Sequence, residues 1–381
     1  MVIAPDEPPK PTRPGTLTLD QVVIGAANRI ELNLFSDVDF ETKSEHGSNL
    51  PTRFELGPIG TVIAAHLSDE WTGRVELSYE NGGVDIERTF LEYKLKQWTF
   101  YAGRTHAEYG YWNAAFHHGR WLQPTVDRPH VLRFEDDGGL LPVHQVGVTA
   151  IHGPARGESG VEFAIGIGNG RNAQPSNILA EDDTNQFKSI LLRVGTVGLG
   201  DRSLRVGINA SIDKIAADPN RQAGLWLGAI YELITGAYVA ERGDRLLVLA
   251  EAYDVLHRFN GKSTNFIDAF GVVGYKFDKL IPFAALELRE GNGATDPYFQ
   301  QYASSAYQSM ETQQQLNLAE IGLGVRYEFL TWATVKLEAA YSRNQFNDAP
   351  ATAAGEAPAG AGAKLESYND YRVEANLSFG R

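Results

Sequence analysis

The sequence contains no cysteine and no long apolar run, and these two absences narrow the class of protein. Without cysteine, disulfide bonds and thiolate metal sites are excluded. No stretch of 18 or more consecutive apolar residues occurs, so membrane-spanning helices are excluded as well. Spanning β-strands remain compatible with the sequence, because each needs only about 9–11 residues with one apolar face.

Basic residues are also scarce. The 34 Lys and Arg are outnumbered by 48 Asp and Glu, which gives a net charge of −14 over 381 residues, and no basic run is present. Nucleic acid is therefore not expected as a partner. The N-terminus has no charged segment followed by an apolar one, so we expect the sequence to start at a mature chain.

Alternating apolar and polar residues are abundant. Residues 371–379 place apolar side chains on one face and polar ones on the other, and 161–168, 204–213, 320–327 and 335–342 do the same. This period of two predicts β-strands with one apolar face. About 16 such segments follow residue 17, an even number that is typical of bacterial barrels formed by one chain.

The connections between the predicted strands alternate short and long. Residues 68–70, 95–97 and 329–332 are short connections, whereas 41–53, 171–185, 257–263, 290–314 and 346–367 are predicted to be longer. Outer-membrane barrels have short periplasmic turns and longer extracellular loops. Aromatic residues beside the short connections suit an interfacial girdle. They are Trp71, Trp98, Phe277, Phe283, Tyr327, Phe329, Trp332 and Phe379.

The predicted fold class is therefore all-β, a transmembrane antiparallel β-barrel of about 16 strands with a long constriction loop folded inward. We therefore expect an integral protein of the bacterial outer membrane, with both termini periplasmic. Residues 1–16 contain five prolines and predict an extended periplasmic tail, and residues 17–381 form the single barrel domain.

The longest connection, at about 104–144, is rich in aromatic and apolar residues, which predicts packing against the inner wall. Its candidate constriction residues are Arg104, His117, His118, Arg120, Arg128, Arg133, Glu135, Asp136 and Asp137. Opposed charges at a constriction would orient and select polar solutes. Salt bridges within the loop that have no selective role are the alternative.

A barrel of about 16 strands is too wide for side chains to fill, and it leaves an aqueous channel. The polar faces that point inward carry both signs of charge. The predicted lumen residues are Arg74, Arg193, Arg205, Arg289, Arg326, Lys336 and Arg372, with Glu76, Glu162, Asp213, Glu287, Glu320, Glu328, Glu338 and Glu374. Most of these charges are expected to neutralise neighbours across strands.

Five of the nine histidines, His106, His117, His118, His130 and His144, fall in or beside the long loop. No HExxH spacing accompanies them, so packing and hydrogen bonding explain these histidines better than a metal site does. We expect no metal and no cofactor.

Three motifs in this region resemble a known family. GYWNAAFHHG at 110–119, Arg128-Pro129, and FEDDGGLLPVH at 134–144 are similar to the constriction loop of bacterial porins related to the phosphate-selective porin O and P family. The resemblance covers roughly residues 103–147. It implies a homotrimer and passive diffusion of small, often anionic, solutes. Two features depart from that family, namely the mixed charge of the predicted lumen and the Gly380-Arg381 end after Phe379.

The predicted function is a porin, surrounded by outer-membrane lipid, through which small polar or charged solutes diffuse, anions such as phosphate among them. One alternative is a non-conducting barrel that acts as a surface scaffold or binds a partner. Another is a barrel enzyme, for which His117 or His118 with Asp136, or His257 with Asp254, would be the candidates. No GxSxG motif is present, and we expect no enzymatic activity.

Overall fold

The computed structural model describes residues 17–19, 29–45, 47–80, 82–116, 119–133, 139–155, 158–171, 186–199, 203–216, 229–291, 296, 298–299, 315–348 and 364–380. The strands within these ranges are β1 (Leu17–Leu19), β2 (Arg29–Glu45), β3 (Ser48–Asn49), β4 (Arg53–Leu56), β5 (Ile59–His66), β6 (Trp71–Glu80), β7 (Gly83–Leu95), β8 (Trp98–His106), β9 (His144–His152), β10 (Gly160–Gly168), β11 (Ser189–Val197), β12 (Leu204–Ile215), β13 (Ile230–Arg242), β14 (Leu246–Phe259), β15 (Lys262–Tyr275), β16 (Leu280–Gly291), β17 (Gln315–Leu330), β18 (Ala333–Asp348) and β19 (Lys364–Gly380). A short α-helix, α1 (Trp112–Phe116), and a 3-10 helix (His130–Leu132) lie between β8 and β9.

Sixteen of these strands form a closed antiparallel ring. β2 pairs with β5, each strand from β5 to β19 pairs with the next one, and β19 pairs back onto β2. The short strands β1, β3 and β4 also pair with β2. The predicted fold class, an antiparallel barrel of 16 strands, is confirmed.

The two faces of the wall differ in polarity, as the alternation predicts. In β19, Val373 and Leu377 are exposed on the outside, whereas Glu374, Asn376 and Ser378 are buried on the inside. Successive side chains of a strand point to opposite faces, so one sequence can present an apolar exterior and a polar interior. No helix in the described part of the chain is long and apolar enough to cross a bilayer.

One predicted long connection is wrong. β14 and β15 are joined across residues 257–263 by the two-residue turn Asn260-Gly261, with φ of 47° and 72°. Both values lie in the left-handed region that a type I′ hairpin turn requires, and Asn-Gly is the sequence preferred there. The strands therefore extend further along the chain than the break in alternation indicated.

One residue of the predicted aromatic girdle is also misplaced. Phe283 is only 6% exposed and lies on the inner face of β16, against Gly324 of β17. Trp71 and Phe277, in contrast, are exposed beside short connections as expected. The tail at residues 1–16 lies outside the described residues, so its assignment stays a prediction.

Candidate functional site

The connection between β8 and β9 comprises residues 107–143, which we call the constriction segment after its predicted role. Its predicted bounds, 104–144, were slightly too wide because the strands continue to His106 and resume at His144. Arg104 was predicted to lie in the loop, but it is a buried residue of β8. The predicted His117, His118, Glu135, Asp136 and Asp137 lie outside the described residues.

Inward carboxylates of the wall bind the backbone of the constriction segment. Glu251 of β14 accepts hydrogen bonds from the N–H groups of Tyr111 (2.9 Å) and Trp112 (2.6 Å) at the start of α1. Such N–H groups have no partner within the helix, so a carboxylate acceptor stabilises them. Two other inward carboxylates also accept backbone N–H groups of the segment. Glu287 accepts those of His130 (2.9 Å) and Val131 (3.0 Å), and Glu338 accepts that of Val126 (2.7 Å).

Two cations of the wall bind carbonyl groups of the same segment. Lys336 Nζ donates to the carbonyl oxygens of Arg120 (2.8 Å) and Thr125 (2.5 Å). Arg326 Nη1 donates to those of Trp121 (2.7 Å) and Gln123 (2.8 Å). Both cations belong to the predicted lumen charges; they lie on the inner face and donate to this segment, and their role in the lumen stays a prediction.

Apolar side chains join the constriction segment to the wall from β11 to β16. Trp112 is 1% exposed, and its ring meets that of Phe270 edge-on at 5.7 Å. The buried cluster also contains Phe116, Leu141 and Phe283. Burying apolar surface contributes about 25 cal/mol per Å² to stability. This packing therefore makes a large contribution to the stability of the folded barrel.

The described constriction residues form a charge network. Arg120 makes ion pairs with Asp37 and Asp39 of β2 and with Asp127, whose Oδ1 lies 3.3 Å from its Nη2. Arg128 Nη1 donates to the carbonyl oxygen of Leu132 at 3.4 Å. The sequence interpretation did not include Asp37 and Asp39, although their spacing of two along a strand is readable.

Electrostatic surroundings shift the pKa of two residues in the segment. Burial would raise the pKa of Asp127, but Arg372, Arg120 and Arg133 outweigh burial and hold it below its ordinary value. Burial and the neighbouring Arg133 lower the pKa of His130 to about 4, although Glu320 counteracts them. His130 is therefore neutral at neutral pH.

The remaining predicted lumen charges lie on the inner side of the wall. Arg74 pairs with Glu92 across β6 and β7 at 3.4 Å, and Glu162 pairs with Arg193 at 3.0 Å, as cross-strand neutralisation predicts. The other contacts are those of Arg205 with the ring of Tyr111 (5.8 Å), Glu320 with His130 (3.4 Å), and Arg372 with Asp127 (2.8 Å), Glu338 (3.5 Å) and Glu374 (3.0 Å).

Between β6 and β7, the ion pairs turn their cations towards water. The Arg88 side chain is 23% exposed, whereas that of its partner Glu76 is 3% exposed. The Arg74 side chain is 31% exposed, whereas that of Glu92 is 6% exposed. Arg120 of the constriction segment differs, because it faces three carboxylates: its side chain is 31% exposed, against 4% for Asp37 of β2 and 23% for Asp127. The surface presented by the two β6–β7 pairs is therefore cationic, although each of these two pairs is neutral.

A β-bulge sets the position of Arg88, which the sequence interpretation missed. Glu76 is opposite Arg88 while the next residue, Leu77, is opposite Ile86, so Glu87 is the extra residue in β7. Arg88 donates to Glu76 on the inner face, and Glu87 lies 3.6 Å from the inward His144. Bulges re-aim side chains in this way, and they break the alternation from which a face is predicted.

The candidate catalytic pair His257 and Asp254 is not brought together. His257 faces the interior, whereas the half-buried Asp254 lies an odd number of residues away in β14, and its carboxylate meets Asn265 at 3.5 Å. Among the described residues, no group of three or more His, Asp or Glu side chains could hold a metal ion.

No protein-family model and no curated protein matches the sequence. Solved structures match the fold. An anion-selective porin from Comamonas acidovorans has a TM-score of 0.61 at 9% identity, covering 92% of this chain and 99% of its own. The trimer form of OmpT, an outer membrane protein of Vibrio cholerae, has a TM-score of 0.56 at 15% identity, covering 92% of this chain and 99% of its own. OprB of Pseudomonas putida has a TM-score of 0.53 at 10% identity, covering 92% of this chain and 94% of its own.

At these identities the likeness is one of fold. The structural neighbours are bacterial outer-membrane barrels, porins among them. Resemblance to porins is thus supported by the fold, whereas membership of the phosphate-selective O and P family stays a prediction.

Proposed function

We propose that this chain is a bacterial outer-membrane porin, a water-filled channel for passive diffusion of small polar or charged solutes, and that it has no enzymatic activity. The observation that supports it best is a closed ring of 16 strands with a polar inner face. Barrels of this size are too wide to be filled by their own wall side chains.

The constriction segment narrows the channel by occupying one side of it. Its hydrogen bonds and apolar contacts go to the inner faces of β11 to β18 and to β2. Fewer of the contacts cited for the described residues go to the inner faces of β5 to β9, so we place the aqueous path along that part of the wall.

The path prefers anions. This follows from the ion pairs between β6 and β7, whose cations are several times more exposed than their carboxylates. A permeating ion feels the nearer, water-facing charge more strongly, because Coulomb energy falls with distance. The net charge of −14 does not contradict this, since charges remote from the path are screened by salt.

The channel assembles as a homotrimer in outer-membrane lipid, with both termini and the short turns on the periplasmic side. One structural neighbour, OmpT of Vibrio cholerae, has a trimer form. Native mass spectrometry of the folded protein in detergent should find three copies, and monomers at every detergent concentration would contradict this.

The test of function is the reversal potential of single channels in planar bilayers under a potassium chloride gradient. Chloride preference, with chloride current reduced when phosphate is added, is the expected result. A cation preference would overturn the proposed selectivity. Absence of any conductance from correctly folded protein would overturn the channel itself.

A further inference from the structure

A buried cluster of charged and polar residues near the ends of β12 to β15 takes no part in the ion path described above. It consists of His257, Glu232, Asp296, Thr264 and Arg171, which we call the histidine clamp. Its imidazole is fully buried, with Nδ1 2.8 Å from Asp296 Oδ2 and Nε2 2.9 Å from Glu232 Oε2. Asp296 comes from the connection between β16 and β17.

The geometry fixes the protonation of His257. An ionised carboxylate can only accept hydrogen bonds, so each ring nitrogen that faces one must carry a proton. With one carboxylate at each nitrogen, the ring is an imidazolium. This charge, together with that of Arg171, balances Glu232 and Asp296, while Asp213 of β12 accepts the backbone N–H of Arg171 at 2.7 Å.

Asp296 anchors two aromatic residues inside the barrel. Its Oδ1 accepts the N–H groups of Tyr298 (2.9 Å) and Phe299 (3.1 Å), and its Oδ2 also accepts the hydroxyl of Thr264. The Phe299 ring stacks on His257 at 5.0 Å, and both aromatic residues are 1% exposed. These contacts hold Asp296, Tyr298 and Phe299 against the wall.

Arg171 links this anchor to the constriction segment. Its Nε lies 2.9 Å from Glu232 Oε2, and its Nη2 donates to the carbonyl oxygen of Leu140. Its guanidinium also lies 5.4 Å from the centre of the Tyr298 ring. The connections that follow β8, β10 and β16 therefore meet at one set of buried charges.

We propose that His257 is a latch: its imidazolium keeps Asp296, Tyr298 and Phe299 docked inside the barrel, and loss of its proton releases them. A neutral ring has one donor, so one of the two carboxylates would face a lone pair in a buried site. Such a contact is strongly destabilising. Glu232 is held by Arg171 and by its strand, so Asp296 is the carboxylate that leaves.

The chain has no cysteine, so a thiol can report on docking without background. In Tyr298→Cys, a water-soluble thiol reagent should react slowly while the residue is docked. The rate should rise by about ten- to hundredfold between about pH 6 and pH 10, as one charged hydrogen bond is lost. His66→Cys, at a half-buried site on β5, supplies the correction for the pH dependence of the thiol itself.

Adding His257→Gln to Tyr298→Cys should make labelling fast at every pH, because glutamine cannot carry the charge. Folding of each variant is checked by the heat-dependent shift of the barrel on a gel. The proposal is overturned if the corrected rate of Tyr298→Cys does not depend on pH, or if His257→Gln leaves labelling slow. Labelling needs no ion current, so this result is independent of the proposed channel function.

Discussion

At the scale of the residue, the orientation of each ion pair determines which charge a solute meets. Arg88 and Glu76 are a neutral pair, yet only the guanidinium is accessible to water to an appreciable extent. The same holds for Arg74 with Glu92. Counting charges on a polar face cannot reveal this, because the count is the same whichever partner is outermost.

Replacing Arg88 by glutamine should reduce the preference for anions. The change removes a water-facing cation and leaves the Glu76 carboxylate uncompensated beneath it. We expect the chloride-to-potassium permeability ratio to fall by about two- to fivefold, the effect of a charge at a few ångström in a watery channel. Reversal potentials in a salt gradient measure the ratio.

The matched control is Lys94→Gln, on the inner side of the same strand but beside its short turn and far more exposed. Its effect should be clearly smaller. Equal shifts from Arg88→Gln and Lys94→Gln would show that no particular position in β7 sets the selectivity.

His130 should make the protein less stable in acid. Its pKa is lowered from 6.5 to about 4 by burial and by Arg133, so between these values the unfolded chain takes up a proton that the folded chain does not. The free energy of unfolding should therefore fall as pH drops through this window, by about 3 kcal/mol in total from this group.

Urea unfolding followed by tryptophan fluorescence between about pH 7 and pH 4 tests this. In His130→Gln, that part of the pH dependence should disappear. If the free energy of unfolding of His130→Gln falls with pH as steeply as that of the unchanged protein, other groups cause the loss of stability in acid.

At the scale of the element, the constriction segment behaves as part of the wall, because hydrogen bonds from several strands bind its backbone. Glu251 binds the start of α1, Glu287 the start of the 3-10 helix, and Lys336 the stretch between them. Each anchor comes from a different strand, so the segment cannot shift without breaking several buried bonds at once.

Glu251→Gln should loosen this segment. An amide cannot accept both N–H groups as strongly as a carboxylate does, and the loss should be about 2 kcal/mol. Single-channel recordings should show larger current fluctuations, since the segment moves relative to the path. Glu290→Gln, at an exposed position near the end of β16, is the control and should leave the recordings unchanged.

The local sequence predicts the strands, but it does not predict the hydrogen bonds that bind the constriction segment to the wall. Apolar and polar residues alternate in β10, β12, β17, β18 and β19. This alternation predicts both that each segment is a strand and which side chains point outward, because each face has the same polarity along the whole strand. The bulge at Glu87 interrupts that signal. The contacts of Glu251 or Lys336 with the segment join residues more than 130 positions apart, and nothing local distinguishes them from other inward charges.

At the scale of the whole molecule, the pairing of β2 with β19 makes the barrel a ring. Val38 and Leu377 are opposite each other at this seam and both are exposed on the outside. A disulfide introduced there, Val38→Cys with Leu377→Cys, would close a very long loop. We expect stabilisation of about 6 kcal/mol in the chain-entropy approximation.

A disulfide between Leu337→Cys and Ala375→Cys, opposite each other on β18 and β19, closes a much shorter loop and should give about 4 kcal/mol. Urea midpoints with and without reductant compare the two. If the seam pair fails to form a disulfide in folded protein, the ring is not closed there.

The seam also imposes an order on biogenesis. Its paired residues are separated by more than 300 positions, so this contact has an exceptionally high contact order, and in the proposed outer-membrane porin it cannot form until β19 has been exported. Until then, β2 and the newest strand each present an open edge to lipid, where unpaired backbone groups are intolerable. Whatever inserts this protein must therefore shield both edges at once and release the chain only when β19 has reached β2.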